Sequence, residues 1–191
     1  MIRTLLLVGT FFVSTVTGGA LAQSTDSSAQ DAAQAGQIDG YLGAIHSPPG
    51  ADTWRALGPA ALARLREHLD NPQAQPTLRA RAADALATVG GPQDADRLAA
   101  WATDATAPQL LRERALVAAH ALLTPAAGHS MVLRALDDAR SPGLRAAAAG
   151  LLARTPNADG CNLLRARAAQ QAGKDRVLFK RALKLCAAPP K

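Results

Sequence analysis

The amino-acid sequence predicts an all-α array of stacked helical hairpins, on three observations. Leu111-Arg112-Glu113-Arg114-Ala115-Leu116-Val117-Ala118-Ala119-His120-Ala121-Leu122 has close relatives thirty-three residues to either side, at Leu78 to Leu86 and at Leu144 to Leu152. A fixed period of this length is the signature of a repeat architecture in which each unit buries its apolar face on its neighbours. The 191-residue chain is 48% hydrophobic, much of it alanine, and only 3% aromatic. Alanine loses no side-chain entropy in a helix, so this composition favours helix over strand. Proline, glycine and aspartate, finally, cluster between the repeated segments, where helices must stop.

Taken in order, the chain opens on an expected export leader over residues 1–22. Arg3 precedes the apolar run Leu5 to Val13, and Ala20-Leu21-Ala22 supplies the small residues of a cleavage site. The run is shorter than the roughly 20 residues of a membrane span, so no stable span is expected after cleavage. Residues 23–37, polar and small, read as a flexible leader without enough apolar area to offset ordering. Residues 38–53 read as a short helix at 38–45 and a loop through Ser47-Pro48-Pro49-Gly50.

The repeat domain is expected over residues 54–187. Leu57-Gly58-Pro59 ends one helix, and Leu62, Leu65 and Leu69 form the apolar face of the next. Helices are predicted from about Thr77 to Val89, Ala95 to Ala102, 109 to 123, Ser130 to Leu136, 144 to 153, Asp159 to Gln171 and Asp175 to Ala187. The tail 188–191, with Pro189 and Pro190, cannot continue a helix.

Aligned on Leu78, Leu111, Leu144 and Phe179, the second helix of each pair repeats its apolar residues four, seven and eight positions on, one stripe at helical period. Small residues alternate with leucine along that stripe, so neighbouring helices can approach closely. At Leu-Arg-x-x-Ala-x-x-Ala-Leu, with an aspartate-bearing turn before it and Leu-Gly-Pro at 57–59, the chain resembles short HEAT-like repeats of the PBS-lyase type. The resemblance implies a right-handed α-solenoid of about four helical hairpins, with the second helices on its concave side. It also implies that Arg79, Arg112 and Arg145 tie each hairpin turn to the following helix, with Asp70, Asp104 and Asp137 as the turn aspartates.

Chemistry is sparse. His46, His68, His120 and His129 have no metal spacing, and no nucleophile elbow, His-Glu-x-x-His or phosphate loop is present. No catalytic residue, metal or cofactor is therefore expected, and the chain is read as a non-enzyme. Cys161 and Cys186 sit at matching distances from the turn expected at Gly173-Lys174, so two antiparallel helices would bring them level. Either two buried thiols or a disulfide would fit; the export leader favours the disulfide, worth about 3.5 kcal/mol by loop entropy.

The formal charge of +6 becomes +5 without Arg3, a modest excess that permits an anionic partner. Few aromatics and no recognised motif argue against nucleic acid. The expectation is a periplasmic or secreted module that docks another protein, with Arg81, Arg112, Glu113, Arg114 and Arg145 as candidate contacts. Its rival is a binder of an anionic polymer or surface that uses Arg79, Arg112, Arg145 and their neighbours as a strip, widened by Arg81 and Arg114.

Overall fold

The computed structural model describes residues 20–44, 49–138, 140–155, 158–170 and 174–187, and all regular structure among them is helical. Ten helices follow in order: α1 Ala20–Gly43, α2 Ala51–Ala56, α3 Gly58–Asp70, α4 Pro76–Val89, α5 Pro92–Thr103, α6 Gln109–Leu122, α7 Pro125–Leu136, α8 Pro142–Arg154, α9 Ala158–Gln170 and α10 Lys174–Ala187. Consecutive helices pack as α3 on α4, α5 on α6, α7 on α8 and α9 on α10, while α4 packs on α6, α6 on α8 and α8 on α10.

Why these segments are helices is visible at their ends. Proline opens α4, α5, α7 and α8, where its missing N–H has no helical acceptor to lose. Thr124 and Ser141 cap α7 and α8 by accepting the Ala127 and Leu144 N–H groups. Gly58 has φ of 66°, the left-handed conformation that lets α2 stop and α3 start within one residue. Three hairpin turns share one construction. Asn71, Asp104 and Asp138 each accept, through Oδ1, the N–H two residues on, at 2.9, 2.8 and 2.9 Å. The turn residues expected at 70 and 137 are therefore displaced by one position, since the Asx side chain that closes a turn is the one two residues before the N–H it accepts, Gln73 for Asn71 and Arg140 for Asp138.

The core is the repeated stripe. Leu86, Ala82, Leu111, Ala115, Ala118, Ala119, Ala148 and Leu152 are at most 1% exposed. Alanine at the crossings lets helices pack close, and leucine fills the space between them.

Two expectations are corrected here. The segment expected as a flexible leader at 23–37, followed by a helix from 38, lies in one continuous helix from Ala20. Alanine at 29, 32, 33 and 35 favours helix locally, and α1 is seated by its C-terminal half, where Ile38 and Leu42 are 1% exposed. Gln34 Nε2 donates to the Leu57 carbonyl at 2.5 Å, and Asp39 holds Arg64 and His68 of α3. Helix α7 also starts at Pro125, five residues before the predicted start, since proline opens a helix as well as ends one. Residues 1–19 of the expected export leader, His46 and the tail 188–191 lie outside the described residues.

The Sγ atoms of Cys161 and Cys186 lie at disulfide-bonding distance across α9 and α10, with Cα atoms 5.7 Å apart. No helix among the described residues is long and apolar enough to cross a membrane.

Candidate partner-binding face

The arginine after each lead leucine belongs to the frame. Arg79 is 5% exposed; its Nε donates to the Leu69 carbonyl at 2.9 Å, and its guanidinium lies 4.4 Å from the centroid of the Trp101 ring. Trp101 Nε1 in turn donates to Asp70. Burial pulls Arg79 below the usual guanidinium range, with the carboxylates of Asp70 and Asp104 opposing. Arg112 repeats the carbonyl contact, donating from Nε to Ala102 at 3.3 Å, and its Nη2 reaches Asp138 at 2.7 Å. The expected partner of Arg112, Asp104, is thus replaced by the aspartate of the next hairpin turn. Arg112 joins two turns, and its hydrogen bond holds Asp138 below the usual carboxylate range. Arg145, third of the series, is half-buried near the start of α8.

Asp94, Asp70 and Asp137, in the first helices or at their ends, make a second set of ties. Asp94 of α5 is 0% exposed and takes Arg66 of α3 in a two-pronged pair at 2.7 and 2.9 Å, while its Oδ2 accepts the Gly91 N–H that opens α5. The Arg66 hydrogen bond lowers its pKa against the opposing effect of burial. Asp70 pairs with Arg97, and Asp137 with Arg167 at 3.0 Å.

Beside these committed side chains, two clefts lie on the open surface of the second helices among the described residues. The first, of about 400 Å³, lies over α4 between α2, the end of α1 and the start of α6. Trp54 and Tyr41, edge to face at 5.8 Å between ring centroids, wall one side. Arg81 lines it and donates to the Leu42 carbonyl at 2.6 Å, while Arg114 faces Asp84 at 3.8 Å. Desolvation on the packed floor raises Asp84 above the usual carboxylate range, with Arg114 opposing. Leu110 forms the α6 rim. The second cleft, of about 670 Å³, lies over α8 between α6 and α10.

Both clefts draw on the same register. Three residues past the lead position come Arg81, Arg114, Ala147 and Ala182; six past it come Asp84, Val117, Gly150 and Leu185. Every one of these eight lines a cleft, so the four second helices present one stripe each to a shared face. The five sequence candidates divide accordingly. Arg81 and Arg114 line the first cleft, Arg112 is buried in the frame, and Arg145 lies outside both clefts. Glu113 is half-buried and accepts Gln109 Nε2 at 2.8 Å against Gly143, where any Cβ would overlap both side chains.

Sequence reasoning missed Asp84, Leu110, Val117, Arg154, Val177, Arg181 and Leu185. The alignment finds Asp84, Val117 and Leu185, six residues past their lead positions, whereas Leu110, Arg154, Val177 and Arg181 share no register that would signal them. Among the described residues no group of three histidine, cysteine, aspartate or glutamate side chains could share a metal ion. No family model, curated protein or solved structure matches the chain.

Proposed function

We propose that this chain is an exported docking module: a right-handed α-solenoid of short HEAT-like hairpins whose second helices line a concave face that receives another protein. One observation carries the reading. The large hydrophobic side chains left exposed among the described residues, Leu110, Val177 and Leu185, all line the two clefts of the second-helix face. Exposed apolar surface gathered on one face marks an interaction site, whereas scattered single residues do not. Export is supported by the leader-like residues 1–22 and by the cysteine pair at bonding distance, since disulfides persist in oxidising compartments. The rival strip for an anionic polymer loses support, because Arg79 and Arg112 are 5% and 8% exposed and engaged inside the frame.

The test is photo-cross-linking in the native envelope from probes at Leu110 and Val117 of the face, and at the exposed Gln93 and Asp96 of α5. Adducts to a protein from the first pair and none from the second are expected. Adducts confined to α5 would overturn the reading.

A further inference from the structure

The cleft over α8 has a chemistry of its own. Its floor is small: Ala146, Ala147 and Gly150 of α8, where a Cβ on Gly150 would meet only the Arg154 guanidinium, at an ordinary 3.5 Å. Its walls are apolar, Val117 from α6 and Val177 and Leu185 from α10, the last two 63% and 45% exposed. Its charges are of one sign. Arg154 and Arg181 line it, no acidic side chain among the described residues does, and Lys180 and Lys184 stand exposed on the same helix as Arg181.

These cations also differ from those of the frame. Arg66, Arg97, Arg112 and Arg167 each hold an aspartate, but neither Arg154 nor Arg181 has a carboxylate partner among the described residues. Arginines without partners beside exposed valine and leucine form a surface complementary to acid and hydrocarbon together.

We propose that the cleft over α8 receives an amphipathic helical segment of a partner protein, its apolar stripe laid on Ala146, Ala147 and Gly150 and its acidic flanks meeting Arg154 and Arg181. This rests on the second-helix face being the docking face. Small floor residues let a guest helix approach to the 8–10 Å at which helices pack, and helix-in-groove recognition uses apolar anchors at helical spacing. The open walls, with Val177 and Leu185 both exposed, suit a segment that keeps one side in water. A lipid chain would need a site that encloses most of its surface.

The test uses the full mature chain and two synthetic helical peptides with the same leucine stripe, flanked by glutamate in one and lysine in the other. The glutamate peptide should bind about tenfold more tightly, and the Arg154→Glu, Arg181→Glu double variant should reverse that order. Val177→Ser with Leu185→Ser should weaken the glutamate peptide by about tenfold, the loss of two apolar anchors, and Gln93→Ser on the exposed side of α5 should leave it unchanged. All substituted side chains but Gln93 border the trough, and unchanged circular dichroism confirms that the variants fold. Equal affinity for the two peptides, no binding of the glutamate peptide, or self-association lost in the Val177, Leu185 variant would overturn the proposal. Cross-links to the native partner from Leu110 alone, with none from Val117, would overturn it and leave the docking face standing. Cross-links from neither cleft would overturn both.

Discussion

At the scale of the residue, the aspartates decide whether the hairpins stay together in acid. Asp39 is held down to about 2 from an ordinary 3.8 by its hydrogen bonds with Arg64 first and His68 next, against opposing desolvation. Because its folded pKa is depressed, Asp39 contributes stability above about pH 4, and that contribution is lost as pH falls toward 2. Asp39→Asn should remove about 1 kcal/mol at pH 7, a figure reduced for the partial exposure of the pair, and flatten acid unfolding between pH 4 and 2. An unaltered acid limb would show that α1 is not fastened there. Asp94, fully buried, should matter more. Asp94→Asn leaves Arg66 without its partner and should cost about 3 kcal/mol in denaturant unfolding; a loss below about 1 kcal/mol would mean the pair is solvated. Asp84 points the other way. Desolvation raises its pKa, so Asp84→Asn should raise Tm at pH 7, as expected of a side chain kept in a cleft for a purpose other than stability. The arginine ladder was legible in the sequence because it repeats. Its partners were not: Arg112 reaches forward twenty-six residues to Asp138, and a one-dimensional pattern offers Asp104 equally well.

At the scale of the element, nine of the ten helices were visible from punctuation and period, and the exception teaches why. Segment 23–37 has the composition of a disordered leader, yet α1 runs through it, since alanine supplies local propensity and Ile38, Asp39 and Leu42 anchor the far end. Tertiary anchoring acts at a distance that composition does not report. Gly58 is a case where the sequence speaks directly. Its left-handed φ joins α2 to α3, and a Cβ there meets nothing within 4 Å, so Gly58→Ala should cost only the backbone term, about 1–2 kcal/mol. A neutral result would mean that the junction relaxes. The bridge between Cys161 and Cys186 closes a twenty-five-residue separation across α9 and α10. Reduction should lower the stability of that hairpin by about 3.5 kcal/mol on the loop-entropy account, with faster amide exchange in α9 and α10. Equal non-reducing and reduced masses would remove the bridge itself.

At the scale of the molecule, the stacking of α4 on α6, α6 on α8 and α8 on α10 makes stability a matter of neighbours. The buried stripe and the open face alternate along the same helices, so one alignment reveals both the core and, three and six residues along, the cleft residues. The clefts themselves were not legible, because their walls combine helices whose lateral spacing only the packed chain defines. In an array of this kind, damage should spread according to position. Leu116 on α6 is fully buried in the central hairpin, whose helix packs on both α4 and α8. Leu116→Ala should cost about 2–5 kcal/mol and lower amide protection across α4, α5, α6 and α8 together. Phe179 is 2% exposed on α10, which packs chiefly on α8 and α9 among the described residues. Phe179→Ala removes a larger side chain, at about 3–5 kcal/mol, yet its loss of protection should concentrate in α9, α10 and α8 and leave α4 and α5 slow to exchange. Equal loss along the whole chain in both variants would mean a single cooperative core, and the nearest-neighbour account of this fold would fall.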